Sequence, residues 1–381
     1  MALIVGVADT PVGVVPDLNS TELYALAIRN AAADANASVH DIDLLITANS
    51  REHPFLYHAE TMAEYIGITP ERCISLQTGG ATTVGAVAMA NAAVEAGDSK
   101  LAVIAMADSM ATGLGRSNAI ENMSSASHPL WESQLGTTVP ALYALIATRY
   151  MHEFGITSEE IAAVAVSDRH YAHLNDKAQY REQITVEDVV NSRLIADPLH
   201  LLDCSPVSDG GAAVAIAKDL RFVRDDRPRA AILGYANATT HEHISQAPSF
   251  SQTPAGVTTK LALDRAKRTL ADIDIAMIYD AFSFMMCMAL EDSGFCKKGE
   301  GAAFVAAGET LPGGRLPTNT HGGLLSYAAP GRPSGLFLLT EATRQLYGEC
   351  GERQVPCSTA LVDTTGGMNS SHGTLIIEKE G

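Results

Sequence analysis

Long apolar runs are missing from this sequence. No stretch reaches the roughly 18 consecutive apolar residues that a membrane-spanning helix needs. The chain also does not open with a basic segment followed by an apolar core and a cleavage site, which is the pattern of a secretory signal. We therefore expect a cytoplasmic protein with no membrane-embedded part.

Basic residues are few. The chain has 26 Lys and Arg residues against 44 Asp and Glu residues, which gives a formal net charge of −18. Proteins bind nucleic acids largely by neutralising phosphates, so this balance argues against a nucleic-acid partner. It does not exclude a small anionic cofactor, which needs only a local cradle of amides and a few cations.

Cysteine is also scarce, and its spacing excludes the usual metal motifs. The six cysteines form no Cys-x-x-Cys pair, and no histidine spacing completes a zinc site, so we predict no metal. Cys287 and Cys296 lie in helical stretches of apolar or mixed composition. We interpret both as small hydrophobic residues of the core in a reducing compartment.

The residues that are present describe a layered α/β protein. Of the 381 residues, 46% are apolar, enough for a large core and two or three domains. Short apolar runs at 2–8, 43–48 and 101–107 predict strands, and the stretches 20–35 and 84–96 predict helices. Because strands alternate with helices, we expect parallel strand pairing.

The alternation is interrupted once and then repeated. Residues 112–202 begin as a polar loop and continue as two helices, 139–154 and 158–174, the second opened by a capping box of Thr157 and Glu160. A second alternating unit follows Arg227 and Pro228. Its predicted strands are 230–234, 275–279, 359–362 and 373–377, and its predicted helices are 257–270, 284–292 and 334–347. We predict a first half made of 1–111 and 203–227, an inserted loop domain at 112–202, and a second half at 228–381.

Four segments resemble the thiolase superfamily, in particular its sterol-carrier-protein-type branch. They are 203–211 (DCSPVSDGG), 278–282 (IYDAF) with 290–301 (LEDSGFCKKGEG), 319–326 (NTHGGLLS) and 362–371 (VDTTGGMNSS). The resemblance implies a thiolase fold: two similar α/β halves stacked as five α-β-α-β-α layers, with the inserted domain over coenzyme A. It also implies a homodimer.

The catalytic residues of that family are not retained. The family's nucleophilic cysteine opens a buried helix, but in the segment 77–85 (QTGGATTVG) its place falls on Gly80 or Ala81. Neither residue can form an acyl-enzyme. By the same resemblance, the activating histidine falls on Ala329 and the late cysteine or histidine on Asp363. The residue that helps to hold the thioester oxygen becomes Tyr279.

The remaining polar groups suit acid–base chemistry without a covalent intermediate. By resemblance to the steroid side-chain-cleaving aldolases of the superfamily, Tyr279 and Tyr327 are the catalytic pair. His321 and Asp363 are expected in loops that converge on the same cavity. That resemblance predicts retro-aldol cleavage of a bulky β-hydroxyacyl-CoA and a small zinc-ribbon and OB-fold partner protein. A tyrosine at a strand end can also be a simple space-filling residue, and Asp363 or His321 can serve only to shape a turn.

Binding roles follow from the same comparison. Ser205 matches a position that touches coenzyme A in the family, although a Ser-Pro turn is an alternative explanation. Gly80, Gly366 and Gly367 are expected to let backbone amides approach the thioester or to permit positive φ. No tightly bound cofactor is predicted, because coenzyme A arrives as part of the substrate.

Two other functions remain open. One is a thiolase or acyltransferase whose nucleophile is displaced, with Cys73 in the preceding apolar run as the candidate, or is supplied by a partner. The other is a non-catalytic acyl-CoA-binding subunit of a thiolase-like complex.

Overall fold

The computed structural model describes residues 1–114 and 126–380. Its main strands are β1 (Leu3–Asp9), β2 (Leu44–Thr47), β3 (Arg72–Ser75), β4 (Leu101–Ser109), β5 (Leu194–Ala196), β6 (Leu199–His200), β7 (Asp209–Ala217), β8 (Arg229–Thr239), β9 (Ile275–Ile278), β10 (Thr359–Gly366) and β11 (Ser371–Glu380). Its α-helices are α1 (Ser20–Asp34), α2 (His58–Ile66), α3 (Thr82–Ala96), α4 (Val139–Phe154), α5 (Ser158–His173), α6 (Val186–Val190), α7 (Ala255–Ala266), α8 (Ser283–Asp292), α9 (Gly301–Ala306) and α10 (Ser334–Tyr347). Part of the predicted polar loop after Thr112 lies outside the described residues.

The strands of the two predicted halves form adjacent groups in one nine-stranded sheet. The order is β3-β2-β4-β7-β1 for the first half and β8-β11-β10-β9 for the second. The groups meet where β1 pairs with β8 over two residues, Leu3 with Ala231 and Ile4 with Ala230. The short β5 and β6 form a separate ribbon in the inserted region.

The prediction of parallel pairing is only partly correct. β2 runs parallel to β3 and β4, and β9 runs parallel to β10. However, β7 is antiparallel to both β4 and β1, and β11 is antiparallel to β10 and β8. The physical reason is the connections: β10 and β11 are joined by a short turn, and β7 follows the long insertion, so neither needs a right-handed crossover.

Helices α3 and α10 occupy the centre of the protein. Both contact strands of the two halves, and their apolar faces share one core cluster with β1, β4, β7 and β10. Helix α1 packs on the outer face of the first half, and α7 on the outer face of the second. The predicted layered α/β architecture is confirmed.

Local signals predicted most helix ends correctly. Thr157 accepts a hydrogen bond from the backbone N–H of Glu160 and so opens α5, and Gly97, with φ of 80°, closes α3. Helix α7 ends at Ala266, earlier than predicted, because Lys267 adopts a left-handed φ of 55°. Helices α2, α6 and α9 were not predicted. No helix in the described ranges is long and apolar enough to cross a membrane.

Candidate active site

The turn that opens α3 is tight and internally bonded. Gly79 has φ of 62°, a left-handed conformation that favours glycine. The Thr82 hydroxyl donates to the Gly79 carbonyl at 2.6 Å and accepts from the Thr78 N–H at 2.8 Å. The N-cap residue Ala81 supplies no side-chain hydrogen bond to the helix. The turn therefore holds its shape through Thr82.

This turn packs directly against the turn between β10 and β11. A Cβ atom at Gly366 would lie 2.2 Å from the Thr78 carbonyl, and one at Gly79 would lie 2.9 Å from the Gly366 Cα. Gly367 has a left-handed φ of 62°. These glycines let two backbones meet across the two halves. Their predicted approach to a thioester stays a prediction.

The Tyr279 ring lies against Gly80, one of the two positions on which the family's cysteine falls by resemblance. Tyr279 follows β9 directly, and its backbone N–H donates to the Asp363 carbonyl at 3.1 Å. A Cβ atom built on Gly80 would lie 2.6 Å from Tyr279 Cε2 and 2.2 Å from the Thr365 carbonyl oxygen. Real Cβ atoms do not approach that closely. The Tyr279 ring can therefore occupy this position only because residue 80 has no side chain.

The surroundings of Tyr279 keep its phenol protonated. Burial raises the pKa of Tyr279 to about 12, and the Asp280 carboxylate adds to this, whereas Ser334 and Arg51 oppose it. The Ser334 hydroxyl lies close by but makes no hydrogen bond of normal geometry with any described group. At neutral pH the phenol is therefore a hydrogen-bond and proton donor.

A second tyrosine from the inserted region stands beside Tyr279. Tyr143 on α4 donates to the Gly367 carbonyl at 2.7 Å, and burial together with the neighbouring Tyr279 raises the pKa of its phenol. Its ring packs on Phe282 with a centroid distance of 4.6 Å. Sequence reasoning missed Tyr143, because nothing in the helical pattern of α4 distinguishes it from a core residue.

Tyr327 and His321 lie next to each other, close to Asp9. Tyr327 ends a π-helical turn, Gly323–Tyr327, and donates to Asp9 Oδ2 at 3.2 Å. Its ring centroid is 5.0 Å from that of His321. Both side chains line a small cavity of about 10 Å³. The cavity lining, within the described residues, is Asp9, Asn175, Lys177, His321, Tyr327, Phe337, Glu341, Arg344 and Arg353.

That cavity does not include Tyr279. Ser334, beside Tyr279, and Thr340, which donates to Asp9 at 2.7 Å, are six residues apart on α10. The axial rise between them is about 9 Å. The common cavity predicted for Tyr279 and Tyr327, and the catalytic role of Tyr327, stay predictions.

The cavity around Tyr327 is rich in buried charge. Burial, followed by the Asp9 carboxylate, raises the pKa of Tyr327 well above its ordinary value. Burial lowers the pKa of His321 to about 4, and neither ring nitrogen has a hydrogen-bond partner among the described groups. His321 is therefore a neutral imidazole facing a polar cavity, and its catalytic role remains a prediction.

We predict that Glu341→Gln lowers the free energy of unfolding at pH 7 by about 3 kcal/mol. Burial alone would raise the pKa of Glu341, but Arg353 donates to both carboxylate oxygens at 3.0 Å and the pKa falls to about 2. A depressed pKa stabilises the fold above the ordinary value of 4.5, and this contribution is lost as pH falls towards 2. Urea unfolding at several pH values measures it, with the exposed Glu349→Gln as control. Equal acid sensitivity of Glu341→Gln and the parent would contradict the assignment.

Asp363 and Ser205 both form backbone hydrogen bonds with the segment that contains Tyr279. The Asp363 carboxylate is 3.5 Å from His372 Nδ1 and accepts from the Thr374 hydroxyl at 3.4 Å, so it is directed towards β11. Ser205 donates its N–H to the Ala281 carbonyl at 2.9 Å. Their predicted roles in acid–base chemistry and coenzyme A binding stay predictions.

Cys73 is poorly placed as a substitute nucleophile. It packs with the outer core cluster of the first half, whereas its neighbour Ile74 faces the central cluster that contains α3. Burial and Glu60 raise the pKa of the Cys73 thiol, which lowers its reactivity. Cys287 is fully buried in the core of the second half.

The described ranges 1–114 and 126–380 contain no group of three or more His, Cys, Asp or Glu side chains that could hold a metal ion.

Comparison with known proteins identifies the family. A family model described as the thiolase N-terminal domain matches residues 2–219, and one described as thiolase C-terminal domain-like matches residues 236–379. The chain is 32% identical over 378 residues to acetyl-CoA acetyltransferase of Methanothermobacter thermautotrophicus, covering 97% of this chain and 98% of that protein. It is also 32% identical over 383 residues to the steroid side-chain-cleaving aldolase of Thermomonospora curvata, covering 97% and 96%.

A solved structure shows the same fold at similar identity. It is described as the Ltp2-ChsH2(DUF35) aldolase, and it superposes with a TM-score of 0.87 at 32% identity. The match covers 99% of this chain and 97% of that chain. Both family models and full-length relatives agree with the four motif segments, so this chain belongs to the thiolase family.

Proposed function

We propose that this protein is an acyl-CoA lyase that performs retro-aldol cleavage of a bulky β-hydroxyacyl-CoA. The observation that carries the proposal is the Tyr279 ring, which fills the space above Gly80 that an acyl-enzyme nucleophile would need. The aldolase names of the Thermomonospora relative and of the solved structure support it. The first of these also supports a degraded steroid side chain as the acyl group.

The chemistry needs proton transfers and no covalent intermediate. A base takes the proton of the β-hydroxyl group, the O–H electron pair forms the new carbonyl, and the Cα–Cβ bond breaks. The released electron pair forms a thioester enolate, which is then protonated at Cα. Tyr279, neutral at pH 7, is suited to donate a hydrogen bond to the enolate oxygen and stabilise the negative charge. Tyr327 is the predicted second proton-transfer group.

The proposal includes partners. Coenzyme A enters as the thioester of the substrate, held near Ser205 and the glycine turns. The solved aldolase structure carries a DUF35 partner in its name, which supports a second polypeptide for this chain as well. We propose that this partner is a small zinc-ribbon and OB-fold protein and that the chain itself forms a homodimer.

We expect the purified chain, co-expressed with such a partner, to convert a β-hydroxyacyl-CoA into a ketone or aldehyde and a shorter acyl-CoA. Mass spectrometry of products and of intact protein measures both the cleavage and any acyl-enzyme. Cleavage without a protein adduct supports the lyase. An acyl adduct on the protein, or loss of activity in Cys73→Ala, would contradict it.

An acyltransferase remains the second candidate because of one finding. The Methanothermobacter relative is as similar to this chain as the aldolase is, so identity alone does not separate the two activities. The preference for a lyase over an acyltransferase rests on Gly80 and on the Tyr279 ring that packs against it. Binding of an acyl-CoA without cleavage or acyl transfer, with the partner present, would instead indicate a non-catalytic subunit.

A further inference from the structure

Two buried carboxyl groups lie close together, and one of them belongs to the residue that follows Tyr279. Asp280 follows Tyr279 in the chain, and Asp168 lies on α5 of the inserted region; both are fully buried. A Cβ atom at Gly323 would lie 2.3 Å from Asp280 Oδ2 and 2.7 Å from Asp168 Oδ2, so these two oxygens are at most 5.0 Å apart. Two carboxylates this close in an apolar interior cannot both be ionised.

The two groups have different partners. Asp280 Oδ1 accepts the Leu324 N–H at 2.8 Å, and Oδ2 accepts the Leu325 N–H at 3.1 Å. Neither oxygen of Asp168 accepts a hydrogen bond of normal geometry from the described groups, although the neighbouring Asn319 amide opposes the larger effect of burial on the pKa of Asp168. Backbone N–H donors favour an ionised carboxylate, whereas burial without donors favours the protonated acid. The surroundings therefore favour a protonated Asp168 and an ionised Asp280.

We propose that the pair shares one proton, that Asp168 holds it, and that the Asp280 carboxylate is a positioning residue for the reaction. Asp280 is joined to Tyr279 through the backbone and holds the π-helical turn that ends at Tyr327 through its side chain. The neutral Asp168 allows the inserted region to dock on this turn. The catalytic part of this proposal rests on the proposed lyase function.

Gly323 makes this arrangement possible. Its φ is 61°, and any side chain there would collide with both carboxyl groups. The neighbouring cation Arg169 does not neutralise the pair by a direct bond, because it donates to Ser326 Oγ and to the Glu182 carbonyl, both at 2.9 Å. The other titratable groups near Asp168 are Tyr171 and Cys287, both of which are neutral at pH 7.

The negative charge of Asp280 also acts on Tyr279. It raises the pKa of the Tyr279 phenol, in addition to the larger effect of burial. The other titratable groups that face this phenol are Arg51, which lowers its pKa, and the Tyr143 phenol. Removing the charge at Asp280 should therefore lower the pKa of Tyr279 and move the alkaline limb of activity to lower pH.

The first test compares Asp168→Asn with Asp280→Asn. Asparagine mimics a protonated aspartate, so we expect Asp168→Asn to keep kcat/KM within about twofold. Asp280→Asn should lose about 10²-fold, because misplacement of a reacting group costs that much, and its alkaline limb should shift to lower pH. A purely structural role would not move that limb. Equal losses in the two variants, or an unshifted limb in Asp280→Asn, would overturn the proposal.

The second test needs no substrate. Burial raises the pKa of Asp168 well above 3.8, so the native state binds a proton that the unfolded state releases. The parent protein should therefore lose stability as pH rises above about 4, and Asp168→Asn should not show this loss. The exposed Asp17→Asn serves as control. Identical pH profiles of stability for Asp168→Asn and the parent would refute the shared proton, whereas the expected profile without any cleavage activity would refute only the lyase.

Discussion

Tyr279→Phe is expected to lower kcat for retro-aldol cleavage by about 10²- to 10⁴-fold, the usual range for loss of a positioned proton-transfer group. The benzene ring still fills the space above Gly80, so the fold and the KM for the thioester should change little. Only the phenolic hydroxyl is lost, and with it the donor that holds the enolate oxygen. Steady-state kinetics with a β-hydroxyacyl-CoA measures the effect.

The matched control for this experiment is Tyr65→Phe. Tyr65 lies on α2 and is exposed, so removal of its hydroxyl should leave kcat and KM unchanged. An unchanged kcat in Tyr279→Phe would show that Tyr279 only fills space. Tyr143→Phe tests the neighbouring tyrosine separately. The Tyr143 hydroxyl donates to the Gly367 carbonyl, so removing this hydroxyl should change KM and stability more than kcat.

The layered fold was largely predictable because its signals are local. The capping box at Thr157 and the glycine that ends α3 act within one helical turn, so the sequence contains them in full. The direction of β7 was not predictable in the same way. It depends on where the chain re-enters the sheet after a long insertion, which no short window encodes.

The site was predictable by residue type and less so by position. The resemblance predicts that Tyr279 follows a strand end, whereas its direct approach to Gly80 is seen only in the structure. The location of the Tyr327 hydroxyl depends on Asp9, more than 300 residues away in sequence, which is bonded in turn to Thr340 and Arg344. Burial and long-range charge decide such contacts. A motif that spans ten residues carries no information about them.

Gly80→Ala is expected to lower the free energy of unfolding by about 3 kcal/mol, at the upper end of what overpacking usually costs. The added Cβ would meet the Thr365 carbonyl at 2.2 Å and the Tyr279 ring at 2.6 Å. The first contact is with backbone, which cannot rotate away as the end of a flexible side chain can. Chemical unfolding monitored by circular dichroism measures the change.

Gly85→Ala, on the helix α3 that follows this turn, is the matched control. Its Cβ would meet only the end of the Leu76 side chain, at 3.3 Å, and alanine is a better helix former, so stability should rise by about 0.5–1 kcal/mol. A Gly80→Ala variant as stable as the parent would show that the turn and the Tyr279 ring move apart easily, and the steric argument against a nucleophile at this position would then fail.

Gly80→Cys extends this argument to function. If only the nucleophile were missing, restoring a cysteine at the start of α3 should produce an acyl-enzyme, because a helix N-terminus favours the thiolate. We expect none, because the Cβ of any cysteine would collide with Tyr279 and Thr365. Adding Tyr279→Ala relieves the ring contact, leaves the carbonyl contact and opens a cavity of its own, so the double variant should be destabilised by less than the sum of the two single variants. An acyl adduct on Gly80→Cys alone would show that the loss of thiolase chemistry lies in one residue. Its absence, together with this non-additivity, would show that the packing of the two halves has removed the room for covalent catalysis.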